Sequence, residues 1–530
     1  MTMLAASGFG LLAFSRIDES SPVWQNHDRT FWQSIGFHFD HPAWRSSFDI
    51  FKVSFWDLIQ PAFMFMVGAA MPFSSRRRQS LGEGRFRRTV HALLRSVALV
   101  LLGVFLYSMG HERTNWIFPN VLCQIGLGYF FVWMIHHLRF SMQLAAIAII
   151  LVSYWGWFVI TPPPNDYDYA AVGASKEKGE VFEGRFAPWS KNANAAFFFD
   201  GWLLPRLRST PAVDELPKTA SVPSVQWQTV SLRQESTESP KSEPENETPA
   251  DAKTDSDKGD DEAKSSDQPA NASPEADLKS PPAETTNPAP ESPSKNAGPG
   301  EPNAGEAPAS ETDAGETPDT ANSEPVPAAA IFNVPDWFRQ WFLSNTEPYT
   351  FNGGGYTTLN FIPSMATTLL GVLCGQLLMN PDRSRWSKLG LLIFSAVVCL
   401  GLGIAADQTI CPVVKRIWTP SWVLFSGGYV IGMLAVFYFL FDIVPLKWIA
   451  FPLVVVGMNS ILIYMLGQTI SGWMRDNVVK VHLTGMIDNV FGPRALDPQW
   501  YGPITLPTTV FALYWLFLLW LYRQRIFLRL

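Results

Sequence analysis

Apolar residues are gathered into long blocks along this chain. Windows long enough to span a membrane run over 56–74, 90–109, 118–137, 141–161, 359–379, 388–406, 421–441, 448–470 and 505–522. An α-helix needs roughly 20 mostly apolar residues to cross a bilayer. A shorter run, MTMLAASGFGLLAF, opens the chain. At 1.5 Å per residue it reaches only about 21 Å of a hydrocarbon core about 30 Å thick, so a start further upstream is expected. The run lacks a basic leader and an obvious cleavage site, which argues against a cleaved signal peptide. The whole pattern predicts an all-α, polytopic transmembrane helical bundle with about ten spans.

The polar residues between the blocks orient it. With the chain starting in the cytoplasm, the loops carrying Arg76, Arg77 and Arg78 with Arg85, Arg87 and Arg88, then Arg139, then Arg383, Arg385 and Lys388, then Lys447 all share one side. The C-terminal Arg523, Arg525 and Arg529 fall there too. Short loops rich in Lys and Arg stay cytoplasmic, so both termini are expected in the cytoplasm. The region between the fifth and sixth helices is then extracytoplasmic. Its middle, 209–328, is dominated by Pro, Glu, Ser, Ala, Asp, Asn and Thr, with almost no large apolar residue after Trp227. Such a composition buries too little apolar surface to offset ordering entropy, so a disordered acidic insert is expected. The chain thus divides into membrane helices 1–5 with a His-bearing outer loop (1–161), an aromatic outer segment (162–208), the insert (209–328), an amphipathic outer segment (329–358) and helices 6–10 (359–530).

Composition changes this picture little. Hydrophobic residues make up 47% of the chain, yet mean hydropathy is only +0.06 because the insert dilutes the spans. The 21 Trp, 38 Phe and 13 Tyr suit interfacial aromatic belts. The net charge of −7 sums an acidic insert and basic short loops, and it offers no footprint for nucleic acid. Cys123, Cys374, Cys399 and Cys411 lie in or beside apolar runs without a C-x-x-C pair, so neither a disulfide scaffold nor a metal site is expected. The expected partners are the lipid bilayer and a sugar or glycan acceptor, with a homo-oligomer possible.

Candidate chemistry is concentrated at the expected outer face. The sequence HFDHPAWRSS puts His38, Asp40 and His41 just before the span that carries Asp57. A histidine there can exchange protons near neutral pH or act as an acyl nucleophile, and Asp40 or Asp57 can fix its tautomer. The same histidines also fit an interfacial loop without a chemical role. Asp57 is costly at the end of a span unless it is paired, wet or useful. A second group, Lys415-Arg416-Ile417-Trp418, sets two cations beside a Trp, as an anion or sugar site or as interfacial anchors. Gly457-Met458-Asn459-Ser460 fits either helix–helix hydrogen bonding or a polar path, and Gly371 with Gly375 fits either close packing or a channel.

These motifs, taken together, resemble a known family. SFWDLIQPAFMFMVGAAMPFS (54–74) resembles the signature helix of the heparan-α-glucosaminide N-acetyltransferase-like proteins, with matches at Asp57, Pro61, Phe63, Phe65 and Gly68. HPAW resembles the family's His-x-x-Trp, which places its catalytic histidine on His41. NVLCQIGLGY (120–129), GGYTTLNFIPSMATTLLGVLCGQ (354–376), PVVKRIWTPSWVLFSGG (412–428) and GMNSILIY (457–464) follow in the family's order. The resemblance covers 38–138 and 350–470. It implies transfer of an acetyl group from cytosolic acetyl-CoA to a sugar amine on the other side, in a bacterial inner membrane. His41 would act as base or acetyl carrier and Asp57 or Asp40 as its orienter, while Asn120, Gln124, Lys415, Trp418, Asn459 and Ser460 would line the site. The chain departs from the family in beginning after its Asp-x-x-Arg-Gly helix and in carrying Cys123-Gln124 where better-known members carry Gln-Arg. A non-catalytic transporter or glycan-assembly component of the same fold is the alternative those departures favour.

Overall fold

A backbone in hydrocarbon must satisfy its own N–H and C=O groups, so apolar blocks of this length become helices. A computed structural model describes residues 7–41, 43–46, 53–207 and 349–528. All of these belong to one compact unit, built from 1–226 and 327–530. The expected disordered insert (209–328) lies outside the described residues, as does most of the amphipathic segment at 329–358. Among the described residues there is no strand.

The helices in chain order are α1 (Leu11–Ser15), α2 (Arg29–Phe37), α3 (Phe55–Ser80), α4 (Arg85–Ser108), α5 (Val121–Ile135), α6 (Phe140–Ile160), α7 (Ala195–Leu203) and α8 (Phe361–Met379). They continue with α9 (Arg385–Thr409), α10 (Pro420–Tyr438), α11 (Lys447–Met458), α12 (Ser460–Thr469), α13 (Ser471–Trp473), α14 (Thr484–Phe491) and α15 (Gly502–Arg523). Seven of them, α3, α4, α6, α8, α9, α10 and α15, are long and apolar enough to cross a membrane. The pair α11–α12, bent by 67° at Asn459, makes an eighth if counted as one span. Among the described residues, length and composition thus support seven or eight of the ten spans expected. Helix α5 has 15 residues, about 22 Å of helix, and α1 has only five. Helix α1 packs where α15 begins, with Gly10 against Pro503 and Pro507 and Phe9 edge-on to Phe511 at 5.4 Å.

The centre of the bundle is the contact between α3 and α8. Gly68 of α3 faces the Thr368 carbonyl, and Gly371 and Gly375 of α8 face the carbonyls of Phe65 and Ala69. A Cβ on Gly371 would sit 2.0 Å from the Phe65 oxygen, so the two backbones touch where only hydrogen fits. This is the packing that small residues four apart allow between helices in lipid. Around it, Leu58, Met64, Leu122, Tyr129, Leu369, Trp418 and Trp422 form one buried apolar cluster. Leu93, Leu94, Val97, Leu101 and Phe105 of α4, with Ile393, Phe394 and Val397 of α9, face outward. Such a run of exposed apolar side chains suits lipid and not water.

The close approach makes one prediction. Gly371→Leu must push α3 from α8, and overpacking of this kind costs about 1–3 kcal/mol or more. A fall in the thermal midpoint of the detergent-solubilised protein is expected. Gly390→Leu, on α9 where nothing lies within 4 Å, serves as the control and should leave the midpoint unchanged.

Candidate functional site

The site is assembled on the first turn of α3. Ser54 caps that helix by accepting the Trp56 N–H at 3.2 Å, while its hydroxyl donates to the Asp40 carbonyl at 2.5 Å. The Trp56 N–H also donates to the His38 carbonyl at 2.9 Å. These bonds hold the end of the 38–41 loop against the helix start. Asp57, in the first turn, is thereby brought to His41: its Oδ1 lies 2.8 Å from His41 Nδ1. A helix N-terminus favours a carboxylate in its own right.

The second cation comes from the turn between α9 and α10. Lys415 Nζ donates to the same Asp57 Oδ1 at 2.7 Å. Trp418 adopts a left-handed φ of 50° and donates its N–H to the Lys415 carbonyl at 2.9 Å, closing a tight turn that aims Lys415 back into the bundle. The turn is tied to the His41 loop by two contacts. Arg45 pairs with Asp407 of α9, whose Oδ1 accepts the Val413 N–H at 2.7 Å. The Ser46 N–H donates to the Val413 carbonyl at 2.9 Å.

These partners determine the protonation pattern. Asp57 and Lys415 are both about 95% buried, so the carboxylate and ammonium need each other. The carboxylate is acceptor-only, so His41 Nδ1 must carry the proton it shares with Oδ1. Lys415 Nζ lies 3.4 Å from Nδ1, but both groups are donors that share one acceptor. His41 keeps 40% of its side chain exposed, and its Nε2 has no hydrogen-bond partner among the described residues. An imidazole held this way turns Nε2 towards solvent and, when neutral, offers it as a proton acceptor backed by the Asp57 carboxylate.

Other residues expected at the site are placed differently. Asp40 does not orient the imidazole: it accepts the His41 backbone N–H at 2.8 Å and pairs with Arg16 at 2.5 Å. Trp418 is buried and donates from Nε1 to Thr367 at 3.3 Å, so it shapes the turn. Gln124 bridges Gln60 and the Thr357 carbonyl inside the bundle. Asn120 caps α5 through the Cys123 N–H and donates to the Gly103 carbonyl at 2.7 Å. Asn459 is fully buried at the α11–α12 bend, bonded to Ile526 and Leu528 beyond α15. Ser460 lines a cleft with Arg77, Arg78 and Arg95 near the opposite end of α3. His41, Asp57 and Lys415 therefore come together, and Asn459 and Ser460 lie elsewhere.

Sequence reading missed the frame around the triad. Trp44 is buried with its indole N–H on the Trp189 carbonyl at 3.0 Å. Gly355 packs against Trp44 and Lys191, and Lys191 pairs with Glu180 at 2.7 Å. Asp200 accepts the Thr358 N–H at 2.9 Å, and Asn360 donates to the Arg416 carbonyl at 2.7 Å. Asp200 is buried; desolvation pushes its pKa up to about 7 against the lowering effect of the Thr358 hydrogen bonds. Asp407 carried the same signal as Asp57, an acid at the end of an apolar window. Among the described residues, no group of three His, Cys, Asp or Glu side chains gathers as metal ligands do. No family model matches this chain, and no curated protein matches it either.

Two measurements check this arrangement. Lys415→Met strands a buried carboxylate and should cost about 3–5 kcal/mol, whereas Lys415→Met with Asp57→Leu removes both charges and should recover most of the loss. Thermal midpoints of the two variants decide it, and equal loss in both would refute the pairing. The raised pKa of Asp200 gives the second. Its contribution to stability is greatest below the ordinary carboxylate range and declines as pH rises towards 7. Asp200→Asn should abolish that part of the decline, so a midpoint-against-pH curve parallel to the wild type between pH 4 and 7 would contradict it.

Proposed function

We propose that this chain is a multi-pass membrane acyltransferase that moves an acetyl group from cytosolic acetyl-CoA to the amine of an extracytoplasmic amino sugar or glycan. The observation that carries the reading is the His41–Asp57–Lys415 triad: an exposed imidazole whose inner nitrogen is fixed by a buried carboxylate, itself neutralised by a buried ammonium. In this reading, His41 Nε2 takes the proton of the acceptor amine as the nitrogen attacks the thioester carbonyl. The C–S bond then breaks and the sulfur leaves with the coenzyme. Equally, Nε2 attacks first and holds the acetyl group until the amine displaces it. Asp57 stabilises the imidazolium of the first route and fixes the tautomer that the second requires.

The topology that serves this reading has α5 and the α11–α12 pair crossing with the seven long helices, and an N-terminal crossing completing ten. The arginine-bearing end of α3 then faces the cytoplasm with both termini, and the His41 end faces out, as the distribution of Lys and Arg favours. About 30 Å separates Asp57 from Arg78 along α3, close to the thickness of the hydrocarbon core. The partners are the bilayer, acetyl-CoA and the sugar acceptor.

The test uses membranes containing the full chain, radiolabelled acetyl-CoA and glucosamine. Label should appear on glucosamine and fall by about 100-fold or more in His41→Ala, the usual range for losing a general acid–base group. Transfer that survives His41→Ala unchanged removes the triad from the mechanism. No transfer together with no acetyl-CoA binding would sink the acyltransferase reading.

A further inference from the structure

A second space opens at the His41 end of the bundle, away from the triad. A cleft of about 420 Å³ runs between α1, α13 and the start of α15. No residue lining it belongs to the triad or to its frame. Gly10, on one wall, holds a left-handed φ of 69° against the Pro503 carbonyl. Gly8, two residues before it, packs on Phe39 and Trp56, which sets the cleft near the start of α3. Gly472, on the other wall, is exposed, and a Cβ there would meet nothing within 4 Å. The cleft is therefore open, and it follows α15 from Gly502 to Val510, about 12 Å of helix.

Its lining divides by chemistry. Leu12, Leu506 and Val510 are apolar, and Arg475 is the one charged side chain among the residues that line it. Arg475 donates to Asp476 from Nε at 3.1 Å and from Nη2 at 2.7 Å. Lys480 shares that carboxylate at 2.8 Å, so two cations and one anion leave a single positive charge at the rim. Nη1 of Arg475 has no hydrogen-bond partner among the described residues. Beside Gly472, Trp473 is 59% exposed, and an exposed Trp at the end of a span suits the headgroup level of a bilayer. The backbone from Met474 to Leu483 is a π-helix, a rare form that recurs at functional sites. Further along α15, Leu516, Phe517 and Trp520 face outward, so the cleft adjoins a surface that suits lipid.

We infer that this cleft binds one anionic phospholipid from the leaflet at the His41 end, with an acyl chain along α15 and the phosphate at Arg475. An apolar trough with one unmatched cation at its rim has the two-part chemistry of an amphiphile with a negative head. A soluble anion would gain nothing from the apolar wall, and an uncharged lipid would gain nothing from the cation. The free Nη1 of Arg475 can donate to a phosphate oxygen while Nε and Nη2 stay on Asp476. The inference stands apart from acyl transfer at His41, and its test does not use that reaction.

The experiment releases the full chain from nanodiscs of equal parts phosphatidylcholine and phosphatidylglycerol, and native mass spectrometry identifies the lipids it keeps. Retention of phosphatidylglycerol over phosphatidylcholine is expected. Gly472→Phe puts a ring into the cleft and should cut retained phosphatidylglycerol by about 10-fold or more. Arg475→Gln should lower the preference for phosphatidylglycerol by about 10-fold. Arg494→Gln removes a cation that lies 4.0 Å over the Trp500 ring and outside the cleft, and it should retain lipid as the wild type does. Should Gly472→Phe fail to fold, Arg475→Gln, at an exposed side chain, decides the question alone. No retained lipid, equal retention of the two lipids, or cleft variants that behave as the wild type does would each overturn the site.

Discussion

The arrangement at the His41 end of the bundle depends on one buried ion pair. Asp57 opens a membrane-length helix, where an unpaired carboxylate would be expelled or neutralised. Its cation, Lys415, arrives from a turn 358 residues further along. Bringing the two together forces the start of α3 against the α9–α10 turn, and the rest of the local structure serves that approach. Arg45, Asp407 and Val413 clamp the His41 loop to the same turn. The strained φ of Trp418 aims Lys415 inward. Gly68, Gly371 and Gly375 let α3 lie flush on α8, so the helix that carries Asp57 is laterally fixed. A buried pair of this kind adds little net stability over a well-packed apolar pair, but losing one member is severe. It joins three segments that the Arg45–Asp407 pair and the Ser46–Val413 hydrogen bond also hold together.

Much of this was legible because the membrane narrows the choices. Block length marked the long helices, and Asp57 was marked by the cost of an acid in a span. Of the two readings left open for Gly371 and Gly375, the contact with α3 shows close packing. What the chain could not display was pairing across distance. Nothing local in HFDHPAW says whether Asp40 or Asp57 holds the imidazole; the answer lies in Ser54, which ties the Asp40 carbonyl to the helix start and leaves Asp57 facing the ring.

Asn459 shows the opposite failure. A polar residue inside an apolar block reads as a tunnel or a helix contact, and both readings assume a continuous helix. The chain bends by 67° there, and the amide satisfies the backbone that leaves α15. Backbone groups past the end of a helix must find partners, and the Asn459 side chain supplies them for Ile526 and Leu528.

The depth of the triad has an electrical consequence. Asp57 and Lys415 cancel each other, and the His41 ring beside them stands where solvent reaches it. Moving a full charge through the membrane potential is worth about 2.3 kcal/mol per 100 mV. A charge at the solvent-exposed end of a spanning helix crosses little of that field, and a buried pair that sums to zero couples to it weakly.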